Sequence, residues 1–120
     1  MKKESEATLL RIFIGESDRY EGKPLHRYLV ELFIKEGLAG ATVLRGVEGF
    51  GKNSRFRTTA ILRLSTDLPI VVEVVDLKER IDRIKPLLND IIKQGLITEE
   101  KVRIIMYEGS EKENISYNEY

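Results

Sequence analysis

Ile34-Lys35-Glu36-Gly37-Leu38 returns later in the chain as Ile92-Lys93-Gln94-Gly95-Leu96. Each copy closes a stretch of helically spaced apolar residues and precedes a short polar turn and a strand-like run. A glycine in the left-handed C′ position ends a helix, and the apolar residue after it packs back on the last turn. The echo divides the chain into two halves of like construction. Before the first copy, Leu25, Leu29, Leu32 and Phe33 recur at helical spacing, and Pro24 suits a first turn, where its missing N–H costs nothing. Further back, Glu16–Lys23 is a polar loop, and Thr8–Gly15 alternates as a strand. Leu10, Ile12 and Ile14 share one face of that strand; Leu9, Arg11 and Phe13 share the other.

After the first copy, Thr42–Val47 predicts a second strand. Glu48–Arg57 is a loop with two glycines and three cations, and Thr58–Leu64 regains strand character. Asp67, Leu68 and Pro69 interrupt it before Ile70–Val75, which is almost wholly β-branched. Asp76 suits a helix N-cap. Leu77, Ile81, Ile84, Leu88, Ile91 and Ile92 form the second helical stripe, and Pro86 inside it predicts a kink. Val102–Tyr107 is the last predicted strand. The order β-α-β-β-α-β, duplicated, predicts an α+β, ferredoxin-like sandwich, with two helices on one face of a four-stranded antiparallel sheet. Residues 8–108 form the expected domain, between polar tails at 1–7 and 109–120.

The other sheet face then lacks a cover. Val71 and Val75 flank Glu73 on the second face of Ile70–Val75, and Leu9 and Phe13 lie on the second face of the first strand. Burial of an aliphatic side chain stabilises by about 1.5–3 kcal/mol. Association through sheet faces follows as an expectation.

Composition narrows the function. Among 120 residues, twenty basic and twenty acidic side chains cancel, which argues against a dedicated nucleic-acid binder. With no cysteine and one histidine, His26, disulfides, thiol catalysis and His/Cys metal centres are excluded. No apolar run is long enough to span a membrane, and the charged start, Met1–Leu10, is not a signal peptide. The expectation is a soluble cytoplasmic protein. Abundant Lys, Arg and Glu without Cys or Trp fit a thermophile's composition.

Four constellations invite a chemical reading. His26 has no nucleophile or paired carboxylate tied to it and reads as a surface residue. Glu16 and Asp18 offer too few oxygens for a hard cation. Gly49-Phe50-Gly51-Lys52 follows a strand; its glycines permit close backbone approach to phosphate, though it is neither a Walker A sequence nor a dinucleotide fingerprint. Lys52, Arg55, Arg57 and Arg63 make the region after it basic, suiting phosphates, acidic proteins or RNA. An RNA-reading sheet requires stacked aromatics on its central strands, and no such cluster is present.

Gly37-Leu38-Ala39-Gly40-Ala41-Thr42-Val43, Gly49-Phe50-Gly51, a long loop, Leu68-Pro69 with a β-branched strand, and Gly95-Leu96-Ile97 before Lys101-Val102 together resemble the PII signalling proteins. Gly22-Lys23-Pro24-Leu25, Gly40–Gly46 and Leu62–Pro69 resemble most closely a PII-like group known as a domain of unknown function. The likeness runs from about Leu9 to Glu108. It implies a homotrimer with sheets facing a central axis, adenine nucleotides bound in clefts between subunits, and signalling through the loop after the second strand. It places Thr42 near the base and Gly51, Lys52 and Asn53 near the phosphates, with Gly49 and Phe50 also on the nucleotide. Gly95 through Lys101, including Thr98, becomes an opposing loop, with Lys101 in the position of a phosphate-contacting lysine. Arg55, Phe56 and Arg57 fall on the partner loop.

Departures from the PII pattern refine this. The opposing loop reads Thr98-Glu99-Glu100 where PII proteins are glycine-rich, and two carboxylates beside a triphosphate repel it. No arginine cluster follows Tyr107, and an apolar residue near Leu62 stands where some PII proteins carry a modified tyrosine. These features favour AMP or another small anion over ATP and argue against uridylylation. The resemblance implies a sensor and adaptor, not an enzyme, with no required cofactor. A protein target is implied, a membrane transporter or channel being one class, with no nucleic acid and no direct membrane insertion. The alternatives are an acylphosphatase-type hydrolase, an RNA-binding module and a heavy-metal tolerance protein.

Overall fold

The computed structural model describes residues 4–50, 57–58 and 67–108. Six main elements follow in order: β1 (Ser5–Gly15), α1 (Leu25–Lys35), β2 (Thr42–Arg45), β3 (Pro69–Asp76), α2 (Lys78–Ile91) and β4 (Leu96–Ile104). The sheet runs β2-β3-β1-β4 and is antiparallel at every junction. This is the expected α+β ferredoxin-like sandwich. Two-residue ladders join Arg19–Tyr20 to Lys23–Pro24 and Glu48–Gly49 to Arg57–Thr58.

The core lies between the helices and one sheet face. Leu10, Ile12 and Ile14 of β1 and Ile70, Val72 and Val74 of β3 meet Leu25, Leu29 and Phe33 of α1 and Ile81, Ile84 and Leu88 of α2. Period-two alternation in the strands and the helical stripes select these residues. At the end of α1, the Gly37 N–H donates to the Ile34 carbonyl and the Leu38 N–H to the Phe33 carbonyl. Gly37 has φ +81°, and Leu38 is buried, completing the predicted stop.

The second copy of the echo is used differently. α2 ends at Ile91, and Leu96 opens β4 instead of folding back. At Gly95 an added Cβ would stand 2.7 Å from the Phe13 carbonyl oxygen, so here glycine serves close approach of two chain segments.

Other boundaries also shift. β1 starts at Ser5 rather than Thr8, because Ser5, Glu6 and Ala7 pair with Ile104, Arg103 and Val102. β2 stops at Arg45 rather than Val47, where the Gly46 N–H turns to the Pro69 carbonyl. Asp76 is the last residue of β3; Leu77 is the N-cap of α2, which continues through Pro86 to Ile91. The largest correction concerns Thr98-Glu99-Glu100. This segment is not a loop: β4 begins at Leu96, not Val102, and pairs continuously with β1. Both carboxylates are ion-paired within the chain, Glu99 with Lys85 and Glu100 with Arg11. Of the predicted strand Thr58–Leu64, only Thr58 lies within the described residues.

Candidate functional site

Asp76 organises one end of the molecule. Its carboxylate is buried at the β3–α2 junction, where Oδ2 accepts from the Ala39 N–H at 2.9 Å and Oδ1 from the Leu77 N–H at 2.7 Å. Arg80 Nη1 stands 3.6 Å from Oδ1. From the next turn of α2, Arg83 Nη2 donates to the Glu36 carbonyl at 2.7 Å. A charge-assisted hydrogen bond is about twice as strong as a neutral one. The end of β3 and the first turns of α2 therefore clamp the α1–β2 connection at Ala39 and at Glu36.

That connection forms one wall of an open cleft of about 1270 Å³. The start of α2 and the end of β4 form the others. Ala41, Leu77, Met106 and Tyr107 supply apolar and aromatic surface, and the charges of Arg80 and Arg103 are balanced by Glu73 and Asp76, which also line it. Arg103 also pairs with Glu4, through Nε at 2.9 Å and Nη2 at 2.8 Å. An apolar wall with a few polar and charged groups beside it suits a small ligand with a flat ring. At the edge of the cleft the Ser5 hydroxyl is buried without a hydrogen-bond partner among the described residues.

Of the residues assigned to a nucleotide, Thr42 lines this cleft. Gly49 sits at the other end of β2, in the short ladder opposite Arg57, where an added Cβ would stand 3.0 Å from Pro69 Cγ. Phe50 is 78% exposed. Gly51, Lys52, Asn53, Arg55 and Phe56 lie outside the described residues, and Arg57 is described through its backbone pairing alone. Gly95, Thr98 and Lys101 lie along β4 or at its start.

The register separates these groups sharply. Thr42 pairs with Glu73, Glu73 with Arg11 and Arg11 with Thr98, so the four form one row across the sheet. This row lies on the face away from the helices. Thr42 and Thr98 stand at opposite edges, three strand spacings or about 14 Å apart. Lys101 is opposite Thr8, on the helix-side face, and is exposed. Within one chain the fold does not bring Thr42 together with Gly95, Thr98 and Lys101.

The centre of the row is ionic. Arg11 Nε donates to Glu73 Oε2 at 2.8 Å and Nη1 to Glu100 Oε1 at 2.9 Å. The Glu73 hydrogen bond, with the two carboxylate charges, raises the Arg11 pKa further above its ordinary value. Around this cluster the face is apolar: Phe13 and Val71 are half-buried, and Val75, Leu44 and Leu96 are 39%, 48% and 57% exposed.

Remaining candidates have local structural roles. Glu16 pairs with Arg45 at 3.0 Å, and Asp18 Oδ2 accepts from the Gly15 N–H at 2.9 Å. Among the described residues, no group of three or more His, Asp or Glu side chains is placed to hold a metal ion, and no helix is long and apolar enough to cross a membrane. The clamp by Asp76, the arginines at the cleft and the Arg11 cluster escape sequence reasoning. Their partners lie far along the chain: Ala39 is 37 residues from Asp76, and Glu100 is 89 from Arg11.

Comparison with known proteins follows the same outline. The family model described as Uncharacterized ACR, COG1993 (DUF190) matches residues 7–104. A UPF0166 protein of Aquifex aeolicus (strain VF5) is 43% identical over 99 residues, covering 81% of this chain and 91% of its own. A UPF0166 protein of Methanocaldococcus jannaschii is 38% identical over 93 residues, covering 77% and 85%. Among solved structures, CPII from Thiomonas intermedia K12, a nitrogen regulatory PII-like protein bound to ADP, AMP and bicarbonate, superposes with a TM-score of 0.60. Its identity is 13%, with 87% of this chain and 92% of that one covered. A candidate PII-like signalling protein from Thermus thermophilus gives a TM-score of 0.57 at 20% identity, covering 85% and 90%. At these identities the structural likeness is one of fold.

Proposed function

Since the chain belongs to the DUF190 family and has a PII-like fold, we propose that it is a trimeric sensor and adaptor that binds an adenine nucleotide, AMP in preference to ATP, between copies. The observation that carries this reading is the separation of Thr42 from Gly95, Thr98 and Lys101 on opposite edges of one sheet. Thr42, assigned to the base, and Lys101, assigned to a phosphate, stand at opposite edges and on opposite faces of the sheet, so one chain does not present both to one nucleotide. The β4 edge of one copy set beside the cleft of the next joins them. The partly exposed apolar face supplies a driving force for that association.

In this arrangement the base packs between Tyr107 and the Ala39–Thr42 wall, and Arg80 and the neighbour's edge meet the anionic end. Glu99 and Glu100, being held by Lys85 and Arg11, keep their negative charge close to cations of their own chain. A short anionic group such as one phosphate is tolerated beside them better than three. Occupancy then biases the Gly49–Arg57 loop, whose base is the short ladder of Glu48–Gly49 with Arg57–Thr58, and the loop meets a protein target. A membrane transporter or channel is one such target class. The role is binding and signalling, without turnover.

The test is calorimetric titration of the purified protein with AMP, ADP, ATP and cyclic nucleotides, with and without magnesium, and with bicarbonate, which CPII binds. Micromolar binding of AMP, weakened at least about tenfold by Lys101→Ala (about 1.4 kcal/mol), is the expected result. Binding that Lys101→Ala leaves unchanged moves the site elsewhere. Silence across the panel overturns the nucleotide reading and leaves a ligand-independent adaptor. Phosphatase turnover lost on Arg57→Ala would instead favour the hydrolase.

A further inference from the structure

The Arg11–Glu73–Glu100 cluster is placed where a covering copy would meet it. It occupies the middle of the sheet face that the helices leave open, ringed by Phe13, Val71 and Val75. The Arg11 side chain is 39% exposed, and those of Glu73 and Glu100 are 29% and 58% exposed. A guanidinium carries five N–H donors. Arg11 uses one on Nε and one on Nη1 within its own chain, through Oε2 of Glu73 and Oε1 of Glu100. Among the described residues, three donors and the second oxygen of each carboxylate remain unused. The face is self-complementary: each copy offers unused donors and unused acceptors on one apolar surround.

We propose that Arg11 binds across copies, donating its remaining N–H groups to Glu100 of the adjoining chain, and that this ionic network governs assembly. The proposal rests on the reading that copies meet through this face. Within each copy one cation serves two carboxylates. Without Arg11, two carboxylates would be buried against a neighbour with no cation on that face among the described strand residues, and unpaired buried charge is strongly unfavourable. Charge pairs across interfaces also fix register between partners. The same contact therefore decides whether the β4 edge of one copy arrives beside Thr42 of the next.

The experiment is light scattering and sedimentation over a micromolar concentration series on the full chain. Wild type is expected to assemble. Arg11→Met is expected to raise the dissociation constant at least about a hundredfold while retaining the helical circular dichroism. Adding Glu73→Gln and Glu100→Gln to Arg11→Met removes the stranded charges and is expected to recover most of the affinity. Arg11→Lys keeps the charge and loses the fork, and serves if the methionine variant does not fold. Its single ammonium cannot satisfy both its own carboxylates and a neighbour's, so the constant is expected to rise about tenfold. Unchanged assembly in Arg11→Met, or in Arg11→Lys where that variant stands in, overturns the proposal and leaves the assembly reading intact. Weakening without recovery in the triple variant overturns the charge argument. A monomeric wild type removes the assembly reading itself, and the proposal with it.

Discussion

Two glycines in matching sequence positions do different physical work. Gly37 takes a left-handed φ of +81° with open space where a Cβ would be. An alanine there carries only the left-handed backbone penalty, about 1–2 kcal/mol. At Gly95 the obstacle is the Phe13 carbonyl oxygen, which would lie 2.7 Å from an added Cβ, with Ile14 and Ile92 methyls close behind. Gly95→Ala must part β1 from the start of β4 and is expected to cost about 2–3 kcal/mol. Urea denaturation of the two variants should therefore rank Gly95→Ala below Gly37→Ala. Asp76 carries the second residue-scale prediction. Asp76→Ala strands the N–H groups of Ala39 and Leu77, and each unsatisfied buried donor costs about 1–3 kcal/mol. A loss of about 2–4 kcal/mol in the same assay is expected and, with the proposed nucleotide in the cleft, weaker binding of it, because the cleft wall is released. The role of Gly37 was legible because a helix stop is local. That of Gly95 was not, since its obstacle is a carbonyl from a strand far earlier in the chain.

At the scale of elements, β4 is where reading and structure part. Glu99-Glu100 has poor intrinsic strand preference, and two adjacent carboxylates look like loop. The sheet overrides that preference by alternating them: Glu99 turns to Lys85 on α2 and Glu100 to Arg11 on β1. Lys85 also pairs with Asp82 at 3.1 Å. Hydrogen bonding to Glu99 first, then to Asp82, raises the Lys85 pKa above its ordinary 10.5. A base with a raised folded pKa contributes stability that is complete below its unfolded value and disappears as pH climbs through the folded one. The difference in melting temperature between wild type and Lys85→Met should thus hold steady at neutral pH and shrink above about pH 10.5. Asp82 acts in the opposite sense. The Lys78 hydrogen bond, then that of Lys85, lowers its pKa below the ordinary 3.8, so its contribution is present at neutral pH and lost in strong acid. Pro86 does not end α2, which runs from Lys78 to Ile91, and Ile84 and Leu88 on either side are buried in the core. Packing of the apolar stripe holds the helix where local propensity alone would interrupt it.

At the scale of the whole molecule, one face of the sheet is a finished core and the other is half-apolar and partly exposed. If copies close over that face, folding and association are linked, and the melting temperature rises with protein concentration. A tenfold increase should raise it by several degrees in differential scanning calorimetry, whereas a monomer's midpoint stays put. Much of the fold was determined by sequence alone. The alternation of Leu10, Ile12 and Ile14, the β-branched run Ile70–Val75, the two helical stripes and the stop at Gly37 are local patterns, and periodicity ties each to its element and its buried face. The order of elements, with its internal echo, then leaves few topologies. Tertiary structure decided the rest: that Asp76 clamps Ala39, that Arg11 bridges Glu73 and Glu100, and that Thr42 and Thr98 share a row at opposite edges of the sheet. Each of these depends on register between strands distant in sequence. A slip of one residue would turn every side chain to the other face, and no local pattern around Thr42 or Thr98 specifies which residue stands opposite.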